Sequence, residues 1–169
     1  MKREVREQRL HDLVERFLAH LALSEAHGAT ERSIDLIAHS PESPIAQAVA
    51  GQLTRLKDAR VEVRAIFAFT DPEPLMARWL SEAAWVRWAK DVRLLEAHEQ
   101  LVLGDARCWT GDAMRRGSTK TDLFESLNEG CKDAAKLGRT SFCQLGRFAN
   151  VIRPRRVTAS LNAIVKEQA

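Results

Sequence analysis

The sequence predicts an α/β fold in which a mixed sheet is flanked by helices and preceded by an N-terminal amphipathic helix. Three observations predict it. Apolar residues recur every three or four positions near the N-terminus; two β-like runs, 33–39 and 61–69, are each followed by a helical pattern; and two apolar strands turn about Gly104-Asp105. A chain of 169 residues, 45% of them hydrophobic, suffices for about one domain whose core needs neither disulfides nor a structural metal. The expected division is a helix over 1–28, packed on the domain or on a partner, and an α/β domain over 29–169.

Leu10, Leu13, Val14, Phe17, Leu18 and Leu21 form the first apolar stripe, with Arg9, Glu15 and Arg16 between them, and the helix is expected to end near Gly28. The run 33–39 reads as a strand closed by Ser40-Pro41-Glu42-Ser43-Pro44. Ser43 is placed to cap a helix that has Pro44 at its first position and Ile45, Val49, Leu53 and Leu56 on its buried side. Residues 61–69 begin by alternating and become continuously apolar, as a strand covered on both faces does. Thr70-Asp71-Pro72-Glu73-Pro74 ends it, and 75–84 reads as a helix, so that strand, helix, strand, helix suggests a parallel βαβ unit. Short strands are expected at 86–89 and 92–97, then the hairpin of 99–103 with 107–109. A polar loop over 114–121 leads to a helix from Asp122 to about Arg147, with Leu123, Phe124, Leu127, Cys131, Ala134, Ala135 and Phe142 buried and with Gly130 and Gly138 as weak points. One more short element is expected within 157–165.

Composition removes several functional classes. No run of about eighteen uncharged apolar residues is present, and the opening Met1-Lys2-Arg3-Glu4-Val5-Arg6-Glu7 has no secretory pattern, so a cytoplasmic protein without a membrane span is expected. Cys108, Cys131 and Cys143 are odd in number and far apart; they read as buried reduced thiols rather than a zinc site, and no cofactor is expected. A net charge of +3, from 26 basic and 23 acidic residues, gives a weak global field. The densest local patch is Arg153-Pro154-Arg155-Arg156. Trp79, Trp85 and Trp88, near Arg78 and Arg87, read as core or interface packing rather than as a base-stacking surface.

The segment with chemical spelling is His98-Glu99-Gln100-Leu101-Val102-Leu103-Gly104-Asp105, followed by Gly111-Asp112. On a strand, His98 and Gln100 share one sheet face. A histidine held there can act as nucleophile or general acid toward a phosphoryl group, provided a nearby cation offsets the charge on its oxygens.

This spacing resembles the signature of the phospholipase D superfamily: His-x-Lys, four residues, Asp, then a Gly-Ser or Gly-Gly pair. The resemblance covers roughly 33–149 and implies a half-domain of that fold. It also implies a histidine that attacks phosphorus, a lysine that grips the phosphate, and a second copy of the motif that supplies the acid. The sequence departs from the pattern in three places. Gln100 stands where the lysine belongs, Asp112 where a small residue belongs, and Met114 where an asparagine often follows. His98, Gln100 and Asp105 are therefore expected to form a degenerate site, with Arg107, Arg115, Arg116, Arg155 and Arg156 as candidate anion-binding residues. The reading that follows is a domain that binds a phosphate-containing or protein partner without catalysis, as a homodimer. Its rivals are a homodimeric phosphodiesterase or nuclease with paired His98, and a structural protein whose N-terminal helix docks a partner.

Overall fold

The computed structural model describes residues 3–24, 31–68, 75–83, 85–88, 96–114 and 124–151. A seven-stranded sheet lies at its centre: β1 (Ser33–Ala38), β2 (Glu62–Phe67), β3 (Trp85–Trp88), β4 (His98–Leu103), β5 (Arg107–Ala113), β6 (Ser126–Glu129) and β7 (Asn150–Val151), in the order β6-β5-β4-β1-β2-β3-β7. β1, β2 and β3 are parallel neighbours, and every other pairing is antiparallel. The sheet is thus mixed, and its direction changes at β1. All six β1 residues are buried, as expected of a central strand covered on both faces.

One face carries α1 (Arg3–Ser24), α2 (Pro44–Ala50), α3 (Leu53–Asp58) and α4 (Leu75–Glu82). The α1 stripe enters the main core completely: Leu10, Leu13, Val14, Phe17, Leu18 and Leu21 pack with Ile34 and Leu36 of β1, Leu101 and Leu103 of β4, and Trp109 of β5. The surface on which a partner-docking helix would depend is therefore used up inside the chain. Trp79 of α4 is 1% exposed and meets Phe67 edge-on at 5.2 Å, which is core packing rather than a base-stacking platform.

The opposite face is crossed by α5 (Lys132–Gly146), which covers Ile37, Ile66, Val102 and Cys108 with Phe142 and Ala135. Gly138 makes this crossing possible. A Cβ there would stand 2.1 Å from Gln100 Nε2, 2.7 Å from Val102 Cγ2 and 3.1 Å from Cys108 Sγ, so only hydrogen allows the helix so close to β4 and β5.

Several sequence expectations are corrected. The helix expected over residues 122–147 begins only at Lys132; residues 126–129 pair with β5 as an edge strand, and Gly130, at φ 77°, turns the chain between them. Phe124 and Leu127 are consequently exposed. The helix expected across Ile45 to Leu56 divides at Gly51 and Gln52, where Gln52 Nε2 meets His11 Nε2 of α1 at 2.6 Å. Ser43 precedes α2 without capping it; its Oγ accepts from Ser40 N instead. Glu96 and Ala97 form a turn rather than the end of a strand. Cys108 is buried, but Cys131 is half-buried and Cys143 exposed. The rest of the strand expected at 92–97, most of the 114–121 loop and the element within 157–165 lie outside the described residues. Among the described residues no helix is long and apolar enough to cross a membrane, and no cluster of three metal-ligating side chains occurs.

Candidate functional site

The C-terminal end of β1 is where the sheet changes direction, the place at which open α/β sheets leave a crevice. His98 opens β4 beside it, with the next residue, Glu99, accepting from His39 N at 3.2 Å. His98 is exposed, lies edge-on to Phe124 at 6.0 Å, and has Nδ1 2.8 Å from the Gly111 carbonyl oxygen. A carbonyl only accepts, so Nδ1 carries the proton. In the neutral ring this leaves the lone pair on Nε2 available for chemistry.

From His98 to Gln100 the pairing on β5 moves from Ala113 to Thr110, so β5 carries one extra residue there, a bulge beside the candidate site. His98 and Gln100 nevertheless line one pocket of about 400 Å³ beneath α5, as their shared strand face predicts. Thr110, Asn128 and Ser141 add polar groups to it, and Leu137 and Leu145 add apolar ones. Gln100 lies over Gly138 and donates from Nε2 to Cys108 Sγ at 3.5 Å, a weak acceptor that leaves its amide available to a ligand. No lysine or arginine among the described residues lines this pocket.

Other expected site residues lie elsewhere. Asp105 occupies the β4–β5 turn, roughly 17 Å or more along the strand from His98 at about 3.3 Å per residue. There it pairs with Lys132 at 3.6 Å. Arg107 is at the same end, 4.0 Å from Glu129. Arg115, Arg116, Arg155 and Arg156 lie outside the described residues. Asp112 is buried on the bulge, with Oδ1 accepting from Ala113 N. Nearby, Arg6 of α1 stacks over Trp109 at 5.2 Å and pairs with Glu99 at 3.8 Å, which fastens the N-terminal helix behind the first turn of β4.

Sequence reasoning missed a charged cluster under α5. Asp35, in the middle of β1, is 1% exposed. It accepts from Arg64 Nε at 2.6 Å and lies 3.3 Å from Arg139 Nε. Arg139 also donates to the Gly104 carbonyl at 2.6 Å and pairs with Glu31. The hydrogen bond to Asp35 raises the Arg64 pKa above the ordinary arginine range, against the opposing cost of burial. The signal was an acid inside an otherwise apolar strand, which calls for a buried cation.

The fold as a whole can be matched to solved structures. The chain superposes on a phospholipase D family member, Nuc from Salmonella typhimurium, with a TM-score of 0.55 over 82% of this chain and 89% of that one. It has a phospholipase D-like fold. Sequence identity with Nuc is only 11%. NucT from Helicobacter pylori shares the fold at 9% identity and a TM-score of 0.53, over 86% of this chain and 94% of its own. TrmBL2, an archaeal chromatin protein with a novel mode of DNA binding, matches at 13% identity and a TM-score of 0.53, over 78% of this chain and 49% of its own. No protein-family model and no curated protein sequence matches the chain. In this phospholipase D-like fold the segment resembling the signature is the β4–β5 hairpin, with His98 at the end that meets the crevice.

Proposed function

We propose that this phospholipase D-like domain binds a phosphate-containing partner at the His98 pocket without turning it over. The observation that carries this reading is Gln100: it stands where the resemblance has a lysine, in a pocket whose described lining offers no cation. His98, Gln100, Thr110, Asn128 and Ser141 can hold phosphate oxygens through hydrogen bonds. A transition state that gains negative charge needs more. Losing its cation costs several kcal/mol, or about a hundredfold or more in rate. The DNA-binding neighbour TrmBL2 supports a nucleic-acid phosphodiester as the ligand class.

The reading includes a homodimer. Its support is apolar exposure beside the pocket, where Phe124 is 54% and Leu137 70% exposed. The α1 stripe no longer supports it, because that stripe is buried. Pairing across these residues would bring two histidines together, and sedimentation should then give twice the chain mass.

A phosphodiesterase remains the second reading because the Nδ1–Gly111 bond leaves Nε2 free to attack, with His98 of the partner subunit as the acid. Burst and turnover assays on an activated aryl phosphodiester and on DNA separate the two. The binding reading expects no turnover that His98→Ala removes, together with a wild-type His98 NMR signal that shifts as the aryl phosphodiester is added. Turnover dependent on His98 would establish the enzyme instead, and an unmoved His98 signal would remove the binding site.

A further inference from the structure

The sheet end opposite His98 holds a second feature. One side of α5 carries Lys132, Lys136, Arg139 and Arg147 along a groove of about 500 Å³ whose other wall includes Asp105. Through Cys143 and Arg147 this groove continues into another of about 370 Å³, lined by Arg64, Arg87, Trp85 and Glu62. The residues that close it, Glu62 and Trp85, begin β2 and β3, whereas His98 lies beside the end of β1. Six cations thus stand along one continuous wall against four acids: Asp105 and Glu62 in its lining, and Asp35 and Glu31, which pair with Arg64 and Arg139. Six cations less four acids leave an excess of two positive charges on this side of α5, enough for a local positive field.

The cations have different tasks. Arg64 and Arg139 are tied to Asp35, Lys132 to Asp105, and Arg87 donates to the Gly146 and Ala149 carbonyls. Lys136 and Arg147 are exposed and have no ion pair among the described residues. From Lys132 to Arg147 the helix rises about 22 Å at 1.5 Å per residue, more than a single phosphate can span. A linear polyanion fits that length. At the far end Trp85 packs against Phe142 at 5.5 Å, and Arg87 lies over its ring at 4.3 Å. Arg64 and Arg87 sit inside the groove and are only partly exposed, so a flexible single strand can follow the wall where a flat lipid headgroup layer cannot enter.

We propose that this groove binds the phosphate backbone of a single-stranded nucleic acid, at a site separate from the His98 pocket and independent of whether that pocket binds or reacts. The test uses fluorescence anisotropy of the full chain with a labelled oligothymidine of about 20 nucleotides, longer than the roughly 4–16 that such grooves cover. Lys136→Glu/Arg147→Glu should weaken binding at low salt at least about tenfold. It should also reduce the slope of log affinity against log salt by about 1.4, at about 0.7 per lost phosphate contact. Lys57→Glu, a charge reversal at an exposed residue of α3 on the other face of the sheet, should leave both nearly unchanged. Thermal unfolding of the double variant should match wild type because both side chains are exposed and without ion pairs; if it does not, the two single variants provide the same comparison. Wild-type affinity in the Lys136→Glu/Arg147→Glu protein, a flat salt dependence, or an equal loss in Lys57→Glu would each overturn the proposal. So would phosphatidylserine vesicles that bind through Lys136 and Arg147 when the oligonucleotide does not.

Discussion

Replacing Asp35 by Asn keeps the side-chain shape and removes the charge that Arg64 and Arg139 share. The carboxylate is 1% exposed, 2.6 Å from Arg64 Nε and 3.3 Å from Arg139 Nε. Removing one partner from a buried ion pair costs about 3–5 kcal/mol because the remaining charge has lost its compensation. The arginine side chains retain 28% and 23% exposure, so water can recover part of the loss and the expected value is near the lower bound, about 3 kcal/mol. That is a large share of the roughly 5–15 kcal/mol that stabilises a domain. In urea denaturation followed by circular dichroism, with a slope of about 1–3 kcal/mol per molar, the midpoint should fall by about 1–3 M. Arg64→Met should also destabilise, and the double variant should lose less than the sum of the single variants. A loss below about 0.5 kcal/mol, the scale of an ordinary surface change, would refute the reasoning. Arg64 adds no pH dependence near neutrality. Its folded-state pKa is raised, so its contribution is fully present below the ordinary arginine range and is lost only as pH rises through the folded value.

Phe17→Ala should cost about 3–5 kcal/mol by leaving a cavity between α1 and β4, and a loss under about 1 kcal/mol in the same urea titration would show that α1 is peripheral. Gly138→Ala sets a helix gain of about 1 kcal/mol against an overpacking cost of about 1–3 kcal/mol. Displacement of Gln100 and a melting temperature lower by about 2–4 °C are expected, and a rise would mean that α5 lifts without resistance. Thiol titration of the native protein should modify Cys143 first and Cys108 only on unfolding, as judged by mass spectrometry; early modification of Cys108 would contradict its burial.

The central fold was legible because its signals were local. The β1 and β2 runs, the turn after β4 and the α1 stripe each match the period of the element they form. Of the candidate pocket, the placing of His98 and Gln100 on one strand face was legible from their spacing. Phe124 and Leu127 misled because a spacing of three suits a helix, whereas pairing with Trp109 and Thr110 held 126–129 at the sheet edge. The distance of Asp105 from His98 follows from strand rise, but which residues would face Asp105 depended on the path of α5. The basic groove was illegible for the same reason. Lys136 and Arg147 lie on one helix, while Arg64 and Arg87 come from strands far away in sequence, and only the crossing of α5 over the sheet joins them.

Asp35 also has a consequence for uniqueness. Apolar contacts alone would let a helix slide across a sheet with little penalty, because one aliphatic surface resembles the next. A carboxylate fixed at the centre of β1 removes that indifference: if α5 moved by one turn, about 5.4 Å, Arg139 would leave both Asp35 and the Gly104 carbonyl. The ion pair therefore acts as an index mark for the helix. Both the His98 pocket on one side of α5 and the basic groove on the other inherit their alignment from that single point.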